Sequence, residues 1–200
     1  MNFKDLVNKK ILFAFLIFNL FGAIFAIITY LNDIIYHIER GLYIQILFFI
    51  VSFWLFFLAF FFVLFLLLDL RVPEFFAGFA FLYCFVIGFG CVIFYPLFMI
   101  FIKGFSWYHL WNVFAHGFVG LQSLLFLNYI KRMKIFYLFI FGLIFVVKHL
   151  FDWFLGGFLY LLKFSFPFWF VWFLSFTYLG LLFLGFYLLS EKTEIYFSKR

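Results

Sequence analysis

The sequence predicts an all-α membrane protein, a polytopic bundle of six transmembrane helices in which residues 1–200 form a single domain. Composition is the first reason. The chain is 70% hydrophobic and 11% charged, whereas soluble domains are about 45–50% apolar and about 25% charged. The second reason is that the apolar residues form six runs, most of them about as long as a membrane-spanning helix. The 44 phenylalanines form no periodic array and are interpreted as a lipid-facing bias.

Charged residues and turn formers close each apolar run and so define the helices in order. The predicted helices are 11–31, 44–68, 75–102, 108–130, 135–151 and 166–189. Pro96 lacks a backbone donor and predicts a kink or an early end in the third helix. Gly156, Gly157 and Lys163 interrupt an apolar stretch at 153–165, which fits an interfacial or re-entrant connection better than a further span.

Basic residues predict the orientation, because Lys and Arg mark the cytoplasmic side of membrane helices. With six spans, ten of the 14 basic residues fall on the side of the termini. The four on the other side are Arg40, Lys103, Lys148 and Lys163. Both termini are therefore expected to be cytoplasmic. The net charge of +6 would anchor the inner face to the lipid bilayer, so it gives no reason to expect nucleic acid as a partner.

Polar side chains gather on the fourth and fifth helices, where the chain is otherwise almost all hydrocarbon. His109, Asn112 and His116 recur at helical steps and share one face. His149 and Asp152 share a face of the next helix. In an antiparallel hairpin, residues at equal depth have numbers that sum to about 265, which pairs His116 with His149. A polar site in the outer leaflet is predicted, because such groups are costly in lipid.

The residue types indicate metal or haem chemistry as one interpretation. Imidazole and carboxylate groups bind transition metals, so His109, His116, His149 and Asp152 are candidate ligands. Two histidines at equal depth would instead bind haem b between them. In a metal-free alternative His116 is a general base, although no nucleophile motif accompanies it. The structural alternatives are aromatic-belt anchoring at His109 and His149, and an interhelical hydrogen bond at His116.

Substrate-binding candidates complete the predicted site. Asn112 lies on the same face as the helix-four histidines, and His37 and Glu39 are placed in the first external loop, on the same side of the membrane. A solvated loop pair is the alternative for His37 and Glu39.

A series of short motifs resembles one known family. The motifs are Trp107-Tyr108, His116-Gly117, Gln122-Ser123-Leu124-Leu125, a basic turn at Lys131 to Lys134, and Asp152-Trp153-Phe154-Leu155-Gly156. With Asn19, Gly22 and Tyr30 of the first helix, they are similar to the YpjA-type family of small prokaryotic integral membrane proteins, a domain of unknown function. The resemblance covers about half of the chain. It implies a prokaryotic cytoplasmic membrane, and it singles out His116, Gln122 and Asp152, with Gln122 as a further substrate-binding candidate.

Two departures from the family pattern concern the site. The family has a proline-rich stretch after helix one where this chain reads His37-Ile38-Glu39-Arg40-Gly41, and further polar residues in helix five where this chain has Lys148 and His149. A family site that used the first loop would be altered here.

Three classes of function follow. The first is a membrane protein with an outer-leaflet His/Asp site that binds a transition metal or haem for redox or hydrolytic chemistry on a lipid-soluble substrate. The second is a small transporter or lipid-binding protein that uses the same residues. The third is an accessory subunit of a larger respiratory-type complex, with other membrane subunits as partners. The sequence does not decide whether the protein is an enzyme.

Overall fold

All regular secondary structure in the described part of the chain is helical. The computed structural model describes residues 8–130, 133–154 and 163–190, and no strand occurs within these ranges. The α-helices are α1 (Lys9–Glu39), α2 (Tyr43–Phe49), α3 (Val51–Leu67), α4 (Glu74–Phe98), α5 (Trp107–Phe126), α6 (Ile135–Phe154) and α7 (Phe168–Leu189). A π-helical turn at Met99–Lys103 extends α4, and a 3₁₀ turn at Leu127–Tyr129 extends α5.

Most of these helices have the length and composition of membrane spans. Within the described ranges, five segments are long and apolar enough to cross a bilayer: Lys9–Glu39, Glu74–Lys103, Trp107–Tyr129, Ile135–Phe154 and Phe168–Leu189. The pair α2 and α3, bent by 67°, adds a sixth if it forms one span. By length and composition, these helices indicate an integral membrane protein of five or six spans.

The apolar run at 44–68 forms two helices, where the sequence predicted one. Ile50 leaves the helical region of backbone conformation, with φ −77° and ψ 46°, and separates α2 from α3. Ile50 and Val51 are both β-branched, and their stiff side chains lower helix propensity at this point. The break places Ser52 in the first turn of α3.

Helix α1 is longer than predicted. It continues through Asn32 and Asp33 and ends at Glu39. The chain then leaves the helix at Gly41, whose φ is +68°. The Gly41 N–H donates to the Ile38 carbonyl at 3.0 Å and the Leu42 N–H to the His37 carbonyl at 2.9 Å, which is the Schellman arrangement. The placement of His37 and Glu39 in a loop was therefore wrong: both lie in the last turn of α1.

Helix α4 lies at the centre of the bundle and contacts α3, α5 and α7. Its closest approach is to α5 at two glycines. A Cβ atom built on Gly88 would lie 2.7 Å from the Gly120 Cα and 2.9 Å from the His116 carbonyl oxygen. Only a residue without a side chain fits this crossing. The crossing fixes the backbone turn of α5 that carries His116.

Proline 96 does not end α4. The helix continues through Pro96 as far as Phe98 and then widens into the π-helical turn. Proline removes one backbone donor from the helical ladder, and π turns are a common local adjustment in such a helix. The sequence predicted either a kink or an early end in this region.

Two ion pairs tie helix ends together. At one end, the Lys9 ammonium lies 2.7 Å from the Asp69 carboxylate, which follows α3. At the other end, the Lys163 ammonium lies 3.3 Å from the Asp33 carboxylate of α1. Lys9 and Asp69 therefore mark one end of the bundle, and Asp33 and Lys163 mark the opposite end. Most of the predicted connection at 153–165 and part of the basic turn at Lys131 to Lys134 lie outside the described residues.

Candidate ligand-binding site

Three polar side chains from three helices form one hydrogen-bonded chain. The His116 Nδ1 lies 2.9 Å from the backbone carbonyl oxygen of Asn112, so Nδ1 must carry the proton and donate it. The Nε2 atom of neutral His116 is then an acceptor, and the Ser52 hydroxyl lies 2.9 Å from it. The Tyr30 hydroxyl lies 3.3 Å from the Ser52 oxygen. The chain runs from α1 through the start of α3 to α5.

A cavity of about 400 Å³ lies beside this chain, between α1, α3 and α5. Its walls are mostly aromatic and aliphatic. Apolar lining residues include Phe18, Phe25, Ala26, Phe56 and Ala115. Its polar lining includes Tyr30, Ser52, Asn112 and His116. We call this the larger cavity.

One polar atom at the larger cavity has no partner. The Nδ2 amide nitrogen of Asn112 is buried and makes no hydrogen bond to any described residue. Asn112 is 7% exposed, so solvent around the bundle does not satisfy it. A buried donor without an acceptor costs about 1–3 kcal/mol. Asn112 lines the larger cavity, so the residue that carries this unpaired donor belongs to the cavity wall.

A second cavity, of about 140 Å³, lies on the other side of Ser52. We call it the smaller cavity. Tyr30 and Ser52 line both cavities and form their common wall. The further polar lining of the smaller cavity includes Lys148, His149, Asp152 and Tyr178.

An ion pair within α6 supplies the charge of the smaller cavity. The Lys148 ammonium lies 2.5 Å from one Asp152 carboxylate oxygen, and the two side chains are 7% and 16% exposed. The other carboxylate oxygen, Oδ1, is buried without a partner among the described residues. Ionisable groups at such positions in apolar helices are costly and usually serve function.

His149 makes a different set of contacts from those of His116. Its Nε2 lies 3.1 Å from the Ser175 hydroxyl of α7. Its ring stacks on Tyr178, with 4.8 Å between the ring centroids. His149 is half-buried, whereas His116 is 1% exposed.

The residues predicted to share one site are divided between the two cavities. His116 and Asn112 line the larger cavity, and His149 and Asp152 line the smaller one. The reason is helix packing: α5 packs mainly on α4 and α3, whereas α6 contacts α2 and α7. The expected close hairpin of the fourth and fifth predicted helices is not among these main contacts. Lys148 was counted from the sequence among the basic residues on the outer side of the membrane, within the predicted helix 135–151; it lies within α6 and is buried.

The other candidates line neither of these cavities. The side-chain Nδ2 of Asn19 donates to the side-chain Oε1 of Gln122 at 2.9 Å, and this hydrogen bond joins α1 to α5. His109 is buried against the rings of Tyr95 and Phe98. The His37 Nδ1 donates to the Asp33 backbone carbonyl oxygen, one turn earlier in the same helix, at 2.7 Å. Glu39 is exposed.

No ligand set for a metal ion appears in the part of the chain that the structure describes, where no three His, Cys, Asp or Glu side chains come together. Both ring nitrogens of His116 already have hydrogen-bond partners. To ligate a metal or haem, His116 would have to give up Ser52. Metal or haem binding by these residues therefore stays a prediction from the sequence.

Sequence reasoning missed Ser52 and the buried position of Lys148, and it did not predict the hydrogen bonds of Tyr30 and Ser175. One signal was present for Ser52, which carries the only hydroxyl group between Gln45 and Asp69 in an otherwise apolar run. Its partner His116 is 64 residues away, so spacing alone did not connect the two.

Comparisons with models of known protein families, with curated proteins and with solved structures gave no match. The resemblance to the YpjA-type family accordingly stays a prediction, and the two cavities are the features of the structure that bear on function.

Proposed function

We propose that the protein binds a lipid-soluble, amphipathic molecule in the larger cavity. The unpartnered amide nitrogen of Asn112 is the observation that supports this most directly. A ligand oxygen that accepted from Asn112 would remove the cost of the unmade hydrogen bond. Ser52 and His116 stand at the same wall and would orient the polar end of the ligand.

The size and lining of the larger cavity support a ligand with a long apolar part. Ligand pockets are commonly about 300–1,000 Å³, mostly apolar, with a few fixed polar groups. The larger cavity has about 400 Å³ and walls made mostly of aromatic and small apolar residues, so it falls within this range. The smaller cavity, at about 140 Å³, falls below it. Because Asn112 offers a donor, the polar end of the ligand needs an acceptor such as a carbonyl or carboxylate oxygen.

We propose further that the protein has six spans, with α2 and α3 as one broken span, and cytoplasmic termini. The pairs Lys9–Asp69 and Lys163–Asp33 support this arrangement, since they place residues from opposite sides of the predicted topology at opposite ends of the bundle. With this orientation, both cavities belong to the outer half of the membrane. A prokaryotic cytoplasmic membrane and a role as an accessory subunit stay predictions from the sequence.

The binding proposal is tested by blocking each cavity in turn. Thr29 lines the larger cavity and is exposed. The large side chain of Thr29→Trp would therefore occupy part of the cavity volume without disturbing the core. Thr177→Trp is the matched control in the smaller cavity. The probe is dansyl-undecanoic acid, followed by fluorescence on purified protein in mild detergent. We expect Thr29→Trp to weaken binding at least about tenfold and Thr177→Trp to leave it unchanged.

A third variant tests the polar end of the site. Asn112→Leu removes the amide donor and should weaken binding of the probe by about tenfold, which corresponds to about 1.4 kcal/mol for one hydrogen bond. The proposal is wrong if the wild type binds no probe, or if the two tryptophan variants bind it equally well.

A further inference from the structure

We propose that Ser52 and His116 are a nucleophile and its general base, and that they transfer an acyl group from an ester held in the larger cavity. This inference rests on the proposed function and names a reaction for the same site. The substrate class is a lipid-soluble carboxylic ester.

The hydrogen bonds around His116 give this pair the required geometry. The His116 Nδ1 donates its proton to the Asn112 backbone carbonyl oxygen, with 2.9 Å between the two atoms. The lone pair of Nε2 therefore faces the Ser52 hydroxyl oxygen, also at 2.9 Å. A serine becomes a nucleophile when a fixed base accepts its proton at hydrogen-bond distance. In serine hydrolases a third group orients the base. In this protein the backbone carbonyl of Asn112 would orient His116.

Two sources of hydrogen-bond donors belong to the cavity wall and helix end that carry Ser52, and in this proposal they would stabilise the developing oxyanion. The first is the buried Asn112 amide nitrogen, which lacks a partner among the described residues. The second is the start of α3, whose N-cap residue Ile50 gives no side-chain cap. The first N–H groups of a helix have no acceptor within the helix, and they carry partial positive charge. Preorganised donors of this kind stabilise the tetrahedral intermediates of acyl transfer.

The position of Ser52 in the common wall separates the two reactants. The acyl chain fits the apolar larger cavity. The smaller cavity presents Lys148, Asp152 and His149, a setting for the alcohol of the leaving group and then for the acceptor, water or a second alcohol. Because Ser52 lines both cavities, a molecule in either cavity could contact it.

The reaction proceeds in two balanced steps. The Ser52 oxygen forms a bond to the ester carbonyl carbon while its proton moves to the His116 Nε2. The bond between this carbon and the alcohol oxygen breaks, and the alcohol leaves with the proton from Nε2. In the second step, water or another alcohol gives its proton to Nε2 and attacks the acyl-serine. The bond to Ser52 breaks, and the serine oxygen regains the proton.

The chain offers an internal control in Ser175. It too lies at hydrogen-bond distance from a histidine, 3.1 Å from His149 Nε2. It is not among the residues that line either cavity, and the start of α7, at Phe168, is seven residues away. A serine that merely bonds to a histidine should therefore behave as Ser175 does.

The test uses dodecyl fluorophosphonate, which transfers its phosphonyl group to an activated serine with loss of fluoride. Wild-type protein in mild detergent is incubated with the probe, its intact mass is measured, and the modified peptide is sequenced. We expect one adduct on Ser52. Ser52→Ala should abolish it and Ser175→Ala should leave it unchanged. His116→Gln should slow labelling by about 10²–10⁴-fold, the usual contribution of a general base.

Each outcome separates the reaction from binding. Wild-type protein that binds dansyl-undecanoic acid but forms no adduct on Ser52 overturns the acyl-transfer inference and leaves the binding proposal standing. Absence of both overturns both. An adduct on Ser175, or one that persists in Ser52→Ala, also overturns the inference. Because peptide sequencing locates the adduct in wild-type protein, the result does not depend on the folding of any variant.

Discussion

Two serine–histidine pairs occur among the described residues, with similar distances and different surroundings. Ser52 bonds to His116 at 2.9 Å and Ser175 to His149 at 3.1 Å. The first pair joins α3 to α5 at the wall between two cavities, with a histidine that is 1% exposed. The second joins α6 to α7, with a half-buried histidine.

The difference shows that a polar contact between two membrane helices does not by itself indicate a ligand-binding site. The pair at His149 satisfies its own hydrogen bond and stacks on Tyr178, which is sufficient for helix packing. The pair at His116 is accompanied by a helix break, a cavity and a buried donor without a partner. The smaller cavity beside His149 also has a buried atom without a partner among the described residues, Asp152 Oδ1. The helix break and the larger volume of the cavity are therefore what set the His116 region apart, and they support the binding proposed there.

Loss of the buried charge next to His149 should change the free energy of unfolding more than any other variant proposed here, and more than loss of an exposed charge. Lys148→Met leaves the Asp152 carboxylate without its partner in a buried position, so we expect a loss of about 3–5 kcal/mol in the free energy of unfolding. Adding Asp152→Leu should restore most of it. Unfolding by SDS in mixed micelles gives the measurement. The control is Lys9→Met, at an exposed ion pair (68% and 74%), which should cost no more than about 1 kcal/mol. Equal effects of Lys148→Met and Lys9→Met would show that the Lys148–Asp152 pair is solvated.

A smaller effect is expected at the crossing that carries His116. Gly88→Ala would put a Cβ atom 2.7 Å from the Gly120 Cα, so α4 and α5 must move apart, at a cost of about 1–3 kcal/mol. The movement should also weaken binding of dansyl-undecanoic acid. Gly90→Ala, in the same helix, meets no atom within 4 Å and should leave stability and binding unchanged. A tolerated Gly88→Ala would show that this crossing does not set the position of His116.

The smallest expected effect compares the histidines directly. His149→Leu removes one interhelical hydrogen bond and should cost about 0.6 kcal/mol, the average for such bonds in membrane proteins. His116→Leu removes two bonds at a buried position and should cost about 1–2 kcal/mol. The same SDS unfolding series measures both. A larger loss at His149 than at His116 would reverse the comparison.

Much of the helical fold could be predicted from sequence, because hydropathy reports directly on span length. The runs at 75–102, 108–130, 135–151 and 166–189 agree closely with α4 to α7. The break at Ile50 was not predicted, since an apolar run reads the same whether it is straight or bent. The end of α1 was misplaced because polar residues at 32 and 33 were given more weight than the glycine at 41.

The site was predicted only in part, for a different physical reason. Periodicity within α5 put Asn112 and His116 on one face, and both line the larger cavity. Which helix faces them depends on packing between distant parts of the chain. Depth arithmetic paired His116 with His149 because it assumed that neighbours in sequence are neighbours in space. Small residues decided otherwise: Gly88 and Gly120 bring α4 against α5.

The spacing of Lys148 and Asp152 has a consequence for how the protein enters the membrane. Charged residues oppose the insertion of a helix into the membrane, by about 2.5–3.5 kcal/mol each at the helix centre and by less toward its ends, and Lys148 and Asp152 lie in the last turns of α6. Since the two residues are four apart on α6, their pair forms as soon as this one helix has formed, before any neighbour arrives. Helix α6 can thus leave the translocon as a nearly neutral segment. Had the partners been placed on different helices, insertion of one would have had to wait for the other.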